Sequence, residues 1–214
     1  MDRSVVVPFE TLHFLGRMNV HLTHELQNVM ATISETSGLL DDLVDLFSAG
    51  ADMDRKRLSK LTGRIVQEID RGHKLVSHIN TLAHSVDEAE SEVDLTRVVR
   101  FMAYTAPCLP NARPIELDIN LEELKAVIRP YLLEHLLYAA IRYAFQGLEP
   151  DQGIGLKLSS QDNTAEILFT GLALGKEFPG FPDAFAQKAL DTLQATASLD
   201  RDRGALALTL PLDR

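Results

Sequence analysis

The sequence has little of what builds several common classes of protein. Its 214 residues contain one cysteine, Cys108, and no tryptophan. A single cysteine excludes an internal disulfide and a zinc site built on cysteines. No apolar run approaches the roughly 18 residues of a membrane-spanning helix, and residues 1–20 lack the basic start and apolar core of a signal peptide. We therefore expect a cytoplasmic protein that does not bind membranes.

Positive charge is also scarce. Lys and Arg number 21 against 31 Asp and Glu, which gives a formal net charge of -10. We find no basic block in the sequence, so the charge argues against a nucleic-acid partner and against an anionic membrane surface. The hydrophobic content of 45% is enough for a buried core.

Two long segments with helical apolar periodicity open the chain. Pro8 suits the first position of a helix, and Ser48–Asp52 breaks the pattern, with Gly50 as C-cap and Asp52 or Asp54 as the next N-cap. The first predicted seam, in which Thr36 fills one polar place, consists of Leu15, Met18, Leu22, Leu26, Val29, Ile33, Leu40, Leu43 and Phe47. The second consists of Leu58, Leu61, Ile65, Ile69, Gly72, Val76, Ile79, Ala83 and Val86.

These two helices predict a hairpin that cannot cover its own apolar surface. Each helix keeps apolar surface beyond its contact with the other, and pairing of two hairpins would bury it in a four-helix bundle. We therefore expect a homodimer.

The remainder of the chain has the pattern of an α+β domain. Periodicity is lost over residues 87–92, which separates a hairpin domain, 1–88, from a second domain, 93–214. Helices are predicted over 95–106, from Pro130 to before Gly147, and over 183–197. Strands are predicted near 115–119, 126–128, 153–159, 164–172, 198–202 and 205–211. We expect a few helices on one face of a largely antiparallel sheet.

His24 is the candidate functional residue of the first helix. At about 100° per residue it falls nearly opposite the apolar seam, with Asn28 one turn further along the outer face and Glu25 at its flank. An exposed helical histidine is usually only a solvated residue. His21, His24 and Glu25 do not form the His-Glu-x-x-His pattern of a zinc site, so we expect no metal ligands here.

The string His24-Glu25-Leu26-Gln27-Asn28 resembles the H-box of two-component histidine kinases. In that family a helical hairpin of similar length precedes an α+β ATP-binding domain, which is also the layout here. The family usually has proline after the asparagine, where this chain has Val29.

The second domain departs from the kinase pattern. Tyr138 and Arg142 stand where the magnesium-binding helix would carry asparagines, and no acid follows the strand that ends near Phe169. The glycine-rich phosphate loop is reduced to Gly204, and one glycine does not supply the backbone N–H groups that cradle a triphosphate.

A kinase layout without nucleotide chemistry is similar to the dimeric bacterial histidine phosphotransferases of the ChpT type, which derive from histidine kinases. The resemblance implies a GHKL-like α/β sandwich that has degenerated, no cofactor of its own, and receiver domains as partners, including that of a hybrid kinase. His24 would accept the phosphoryl group from a receiver aspartate and pass it to another, while Mg²⁺ comes from the receiver.

The resemblance also implies roles for the neighbours of His24. Glu25 would orient the imidazole or accept its second N–H, and Asn28 would hydrogen-bond the transferring group or position a water. The outer-face residues expected to contact a receiver are Val20, His21, Gln27 and Ala31.

Two further hypotheses stay open at this point. The chain would be a binding-only pseudokinase scaffold if His24 is incidental. It would be a working kinase if the nucleotide boxes lie elsewhere. Alternatively it would be a receiver phosphatase, which the presence of Asn28 favours.

Overall fold

A computed structural model describes residues 9–50, 52, 54–85, 90–109, 111–174, 178 and 180–212. The helices are α1 (Phe9–Ser48), α2 (Arg55–Ser85), α3 (Leu95–Thr105), α4 (Pro130–Ala144) and α5 (Ala184–Leu193). The strands are β1 (Ser91–Asp94), β2 (Ile115–Ile119), β3 (Lys125–Ile128), β4 (Ile154–Gln161), β5 (Thr164–Thr170), β6 (Thr196–Asp200) and β7 (Ala205–Pro211). The predicted order, a helical hairpin followed by an α/β unit, is confirmed.

Contacts divide the chain into two compact units. The hairpin unit comprises Met18–Thr81, and the sheet unit comprises Met1–Arg17 with Leu82–Arg214. The domain division predicted from sequence, 1–88 and 93–214, stays a prediction, and part of its linker lies outside the described residues. Pro8 and Val86, which were assigned to the helices, also lie outside them.

The turn between α1 and α2 has the residues that its geometry needs. Gly50 adopts a φ of 94°, in the left-handed region that glycine enters without a Cβ penalty. Asp54 Oδ1 accepts a hydrogen bond of 3.0 Å from the backbone N–H of Arg57, so it caps the start of α2. Both assignments agree with the sequence prediction.

The seam of α1 is largely as predicted, whereas that of α2 needs correction. Met18, Leu22 and Val29 are buried along α1, whereas Phe47, the last residue of the predicted seam, is exposed. On α2, the predicted seam residues Ile69 and Val76 are exposed, and so is Ala83. Buried instead, beside Leu61 and Gly72 of the prediction, are Leu75 and Leu82. α2 carries two apolar stripes that both fit the heptad spacing, a buried one that includes Leu61 and Leu75 and an exposed one that includes Ile69. The predicted seam combined residues of both stripes.

The sheet unit contains a five-stranded sheet in the order β2-β4-β5-β7-β6. β2 runs parallel to β4, and the other pairs are antiparallel. Alternate residues of the central strands are buried, such as Leu156, Ile167 and Leu208, because the apolar sides of the helices cover one face of the sheet. The β4–β5 turn at Asp162 and Asn163, both with positive φ, is the predicted hairpin.

Three parts of the sheet unit were predicted incorrectly. β1, paired antiparallel with β3, was not predicted as a strand, and its first two residues, Ser91 and Glu92, were assigned to the linker. α5 ends at Leu193 and not near 197, because Gln194 adopts a left-handed φ of 53° that stops the helix. β6 consequently begins at Thr196, two residues earlier than predicted.

Candidate functional site

His24 projects from α1 into solvent, as the periodicity predicts. Its side chain is exposed, while Leu22 and Val29 on the packed seam are almost fully buried. On an ideal helix His24 lies roughly 150° from that seam. The imidazole is therefore accessible to another macromolecule.

Glu25 is held by the second helix of the hairpin. Its Oε2 forms an ion pair with the guanidinium of Arg71 on α2. Arg71 also lies 3.6 Å from Glu68, one turn earlier on its own helix. The charge of Glu25 is thus fixed in position beside His24.

Asn28 connects Glu25 with His24. Its Nδ2 donates to Glu25 Oε1 over 3.3 Å and lies 3.4 Å from His24 Nδ1. Both contacts use the same amide group, which has two protons to donate. Glu25 is therefore linked to His24 through the amide of Asn28. The sequence resemblance had implied a direct contact between Glu25 and His24.

This arrangement favours one tautomer of His24. When Asn28 Nδ2 donates to Nδ1, the ring proton of the neutral imidazole resides on Nε2. Turning the amide over would bring Asn28 Oδ1 against Glu25 Oε1, two acceptors facing each other. The Arg71–Glu25 pair therefore holds the amide of Asn28 in the donating orientation.

His21 lies one turn before His24. Partial burial lowers the pKa of His21, while the charge of Glu25 acts in the opposite direction and that of His24 adds to the lowering. The lowered pKa of His21 disfavours a second cation beside His24.

The other predicted contact residues are accessible. Val20, Gln27 and Ala31 are exposed on the outward side of α1, and 71% of Val20 is exposed. Their role in binding a partner stays a prediction.

Neither a metal cluster nor a membrane span is found in the part of the chain that the structure describes. No three His, Cys, Asp or Glu side chains there lie close enough to share a metal ion. No helix is both long and apolar enough to cross a membrane.

Arg71 was missed by the sequence analysis. In an antiparallel hairpin, residues at the same level have a nearly constant sum of their numbers. The turn predicted at Ser48–Asp52 puts this sum at about 100, and the approach of Gly72 on α2 to Val29 and Leu26 on α1 agrees with that value. The sum would have placed Arg71 opposite the segment that follows His24.

Tyr138 and Arg142, the residues at the predicted asparagine positions of α4, interact with each other and with the start of α5. The Arg142 guanidinium lies 5.8 Å from the centre of the Tyr138 ring and 3.3 Å from Asp183 Oδ2. Asp183 also caps α5 by accepting from the N–H of Ala186 over 2.8 Å. These side chains serve the packing of α4 against α5.

The crevice between α4 and the loop after β5 is filled. The ring of Phe178 lies directly against Gly147, which has room for no side chain and adopts a φ of 72°. The loops also close on each other, since Leu172 N–H donates to Gly204 O over 2.9 Å. The space left among Tyr143, Phe178 and Gly204 is about 10 Å³, which is room for one water molecule.

The carboxyl group of Glu134 on α4 is fully buried. Its Oε2 accepts a hydrogen bond of 2.7 Å from the hydroxyl of Ser85, the last residue of α2. Burial raises the pKa of Glu134 to about 8, against the effect of the Ser85 hydrogen bond. Glu134 Oε1 has no hydrogen-bond partner among the described residues. Sequence analysis did not single out Glu134, because a glutamate within an amphipathic helix normally lies in solvent.

Comparisons with known proteins find similarity at the level of structure. No protein-family model matches the sequence, and no curated protein sequence matches it. The histidine kinase AdeS of Acinetobacter baumannii is 12% identical over 88% of this chain and 98% of its own, with a TM-score of 0.48.

Two smaller kinase structures resemble part of the chain. The ATP-binding domain of PrrB from Mycobacterium tuberculosis is 21% identical over 58% of this chain and 97% of its own, with a TM-score of 0.47. The histidine kinase domain of the E. coli osmosensor EnvZ is 14% identical over 57% of this chain and 88% of its own, with a TM-score of 0.44. With TM-scores below 0.5, these likenesses alone carry no argument about activity.

Proposed function

We propose that this chain is a histidine phosphotransferase of a two-component phosphorelay. His24 accepts a phosphoryl group from the aspartyl phosphate of one receiver domain and passes it to the aspartate of another. The observation that carries the proposal is the arrangement of Arg71, Glu25 and Asn28, which places an amide donor at Nδ1 of an exposed imidazole.

The transfer needs the lone pair of His24 Nε2, so the ring proton first moves from Nε2 to Nδ1 through water, and Asn28 Nδ2 gives up its donation to Nδ1. Nε2 attacks phosphorus in line as the bond to the receiver's aspartate breaks, and the carboxylate leaves with the electron pair. The ring then carries the phosphoryl group on Nε2 and a positive charge. Loss of the Nδ1 proton to water restores a neutral ring.

Asn28 suits the phosphorylated state of His24. After the Nδ1 proton is lost, Nδ1 presents a lone pair, and Asn28 Nδ2 lies 3.4 Å from that atom. This donation opposes reprotonation, and the phosphoryl group leaves far more readily from the protonated ring. Asn28 thereby lengthens the lifetime of the phosphohistidine, which a relay intermediate requires.

The filled crevice of the sheet unit supports a phosphoryl source other than ATP. The resemblance to histidine kinases would place a nucleotide between α4 and the loops around Gly204. Phe178 occupies this region, and the remaining space of about 10 Å³ is far below the volume of a ligand pocket. We propose that the chain uses no cofactor of its own and that the receiver supplies Mg²⁺.

Apolar side chains exposed on the hairpin unit support a homodimer. On one side of the hairpin, α1 exposes Met30 and Val44, and α2 exposes Val66, Ile69 and Val76. We call these five residues the apolar face. An exposed stripe of this kind on two neighbouring helices fits the same stripe of a second copy, which completes a four-helix bundle.

The test is phosphotransfer from a labelled receiver. Receiver domains of the host are phosphorylated with a small-molecule donor, separated from it, and mixed with the chain. We expect label on the wild-type chain, none on the His24→Ala variant, and none with ATP and Mg²⁺ alone. Label that persists in the variant would refute the site, and calorimetric binding of ATP would favour a kinase.

A receiver phosphatase is the second candidate, because the amide of Asn28 beside His24 is able to orient a water molecule. In that case the phosphoryl group is released as inorganic phosphate, and the His24→Ala variant keeps the activity. A time course of phosphate release in both proteins distinguishes the candidates.

A further inference from the structure

One side of the hairpin unit carries a row of basic residues on α2. Arg57, Lys60 and Arg64 recur at steps of three and four residues, so they lie along one side of the helix. We call these three residues the basic stripe. They are exposed, and a shallow open depression of about 700 Å³ lies along them.

The basic stripe lies on the same side of the hairpin as His24. Continuing its spacing along α2 leads to Arg71, which pairs with Glu25 of α1. Asn28 and His24 lie on that side of the α1 seam, whereas the apolar face lies on the other side of both helices. The hairpin therefore has one apolar side and one side that combines His24 with cations.

The charges of the basic stripe are not neutralised within the chain. Among the described residues, none of Arg57, Lys60 and Arg64 takes part in an ion pair. Residues 55–64 contain five Lys or Arg and no acid, although the chain as a whole has a net charge of -10. This cluster was not predicted, because acidic residues elsewhere in the chain outweigh it in the net charge.

The helix dipole does not account for the cations of the stripe. α2 begins at Arg55 and has no acidic residue in its first turn, where the partial positive charge of the helix N-terminus favours acids. Arg57 lies in that turn and opposes the dipole, whereas Lys60 and Arg64 lie beyond its reach.

We propose that the basic stripe is the docking site for an acidic face of the receiver domain that exchanges its phosphoryl group with His24. This inference rests on the proposed function and names the surface that holds the partner. The stripe extends from the level of Arg64 to that of Arg57, about 10 to 21 Å along the helix from Arg71.

The size and charge of such a partner fit the stripe. A domain of about 100 residues has a radius of gyration near 13 Å, so a receiver centred close to His24 reaches the stripe. The aspartyl phosphate and the acids beside it must face His24, so the acidic residues that meet the stripe lie on the adjoining surface of the receiver, about 10 to 21 Å away. Opposite charges on the two surfaces speed their encounter and fix the orientation in which they meet.

The experiment compares two triple variants of the full chain. In the stripe variant, Arg57, Lys60 and Arg64 are each changed to Glu. In the control variant, the exposed residues Arg129, Lys188 and Arg203 of the sheet unit are changed to Glu, which alters the net charge equally. The partner is a receiver that the wild-type chain retains in a pull-down, and the initial rate of transfer to His24 is measured against receiver concentration.

We expect the stripe variant to need at least about tenfold more receiver for half-maximal rate, with little change in the maximal rate. The control variant should match the wild type. Raising the salt concentration should weaken the wild type much more than the stripe variant. An unchanged half-saturation in the stripe variant, or an equal rise in the control, overturns the proposal.

Two further measurements separate this inference from its alternatives. Labelling of His24 by phosphoramidate, a small donor that needs no docking, should be equal in all three proteins and reports an intact site. Calorimetry of the His24→Ala chain with the receiver measures docking by itself. Stripe-dependent docking together with no transfer to the wild-type chain would defeat only the proposed function. Stripe-dependent binding of a DNA duplex or of phosphatidylserine vesicles, with receiver docking unchanged, assigns the stripe to those ligands and overturns the proposal.

Discussion

Glu25 on α1 and Arg71 on α2 are joined by an ion pair at the level of His24, and Asn28 donates to the same carboxylate. A residue of the second helix thereby sets the amide orientation next to the imidazole on the first helix. Arg71 does not contact His24 in this arrangement. It is a positioning residue whose effect passes through Glu25 and Asn28.

The first prediction is that Arg71→Met shortens the lifetime of the phosphohistidine without unfolding the hairpin. Freeing Glu25 releases the amide of Asn28 from its donating orientation at Nδ1, and loss of about 1 kcal/mol of this donation corresponds to a roughly fivefold higher rate of decay of the label. Because the pair is partly exposed, the free energy of unfolding should fall by at most about 1 kcal/mol. Lys74→Met, an exposed change on the same helix, is the control. Equal rates in the two variants would contradict the role of Arg71.

The second prediction concerns the tautomer of His24. In the wild type, ¹⁵N NMR of the imidazole should show the neutral ring with its proton mainly on Nε2, because Asn28 donates to Nδ1. Asn28→Asp presents only acceptors to Nδ1 and should move the proton to that atom. An unchanged ratio of the two forms in the variant would show that Asn28 does not control the ring.

The lifetime of phosphohistidine gives a separate measurement of the same contact. Asn28→Leu removes the donor while keeping a side chain of similar size. Loss of one hydrogen bond of about 1 kcal/mol should shorten the lifetime of the labelled chain roughly fivefold at neutral pH. The decay of label on the isolated protein, measured without any receiver, checks this expectation.

In the hairpin, features that depend on one helix alone were predictable from the sequence, and contacts between the helices were not. The burial of Leu22 and Val29 and the exposure of His24 follow from the turn of a single helix, so they were predicted correctly. Ile69 and Val76 were misassigned because a heptad of apolar residues does not say which neighbour covers it. The Glu25–Arg71 pair joins residues 46 positions apart, and no local pattern reports such a contact.

The sheet unit shows the same division between local and distant causes. The hairpin at Asp162-Asn163 and the start of α4 at Pro130 are determined by turn and helix-start residues. β1 was missed because a strand of four residues is recognisable mainly through its partner β3. The filling of the crevice by Phe178 was likewise beyond prediction, since only the folded chain brings this ring onto Gly147.

The third prediction is that Ile69→Glu dissociates the proposed dimer. Ile69 belongs to the apolar face, and a carboxylate buried there on association should weaken the dimer by about a hundredfold or more. Val20→Glu is the control, because Val20 is also exposed and apolar but lies on the outward side of α1. Sedimentation equilibrium gives the mass of each protein. A monomeric wild type, or an Ile69→Glu variant as dimeric as the control, would contradict the apolar face as the interface.

The last prediction concerns the buried carboxyl group of Glu134 and its effect on stability at different pH. Burial raises the pKa of Glu134 from about 4.5 to about 8, so between these values the folded chain keeps a proton that the unfolded chain releases. The resulting stability is fully present below pH 4.5 and is lost as the pH rises to 8. Over this range Glu134 alone lowers the free energy of unfolding by up to about 1.4 kcal/mol per pH unit.

Glu134→Gln removes this titration while keeping an oxygen that accepts from Ser85 Oγ, as Oε2 of the carboxyl does over 2.7 Å. Urea unfolding at pH 5, 6, 7 and 8 should therefore show a smaller decline of stability with pH in the variant, which becomes the more stable of the two proteins near pH 8. Glu166→Gln, an exposed change on β5, should keep the wild-type decline. Parallel curves for the wild type and Glu134→Gln would mean that Glu134 is not the group that holds the proton.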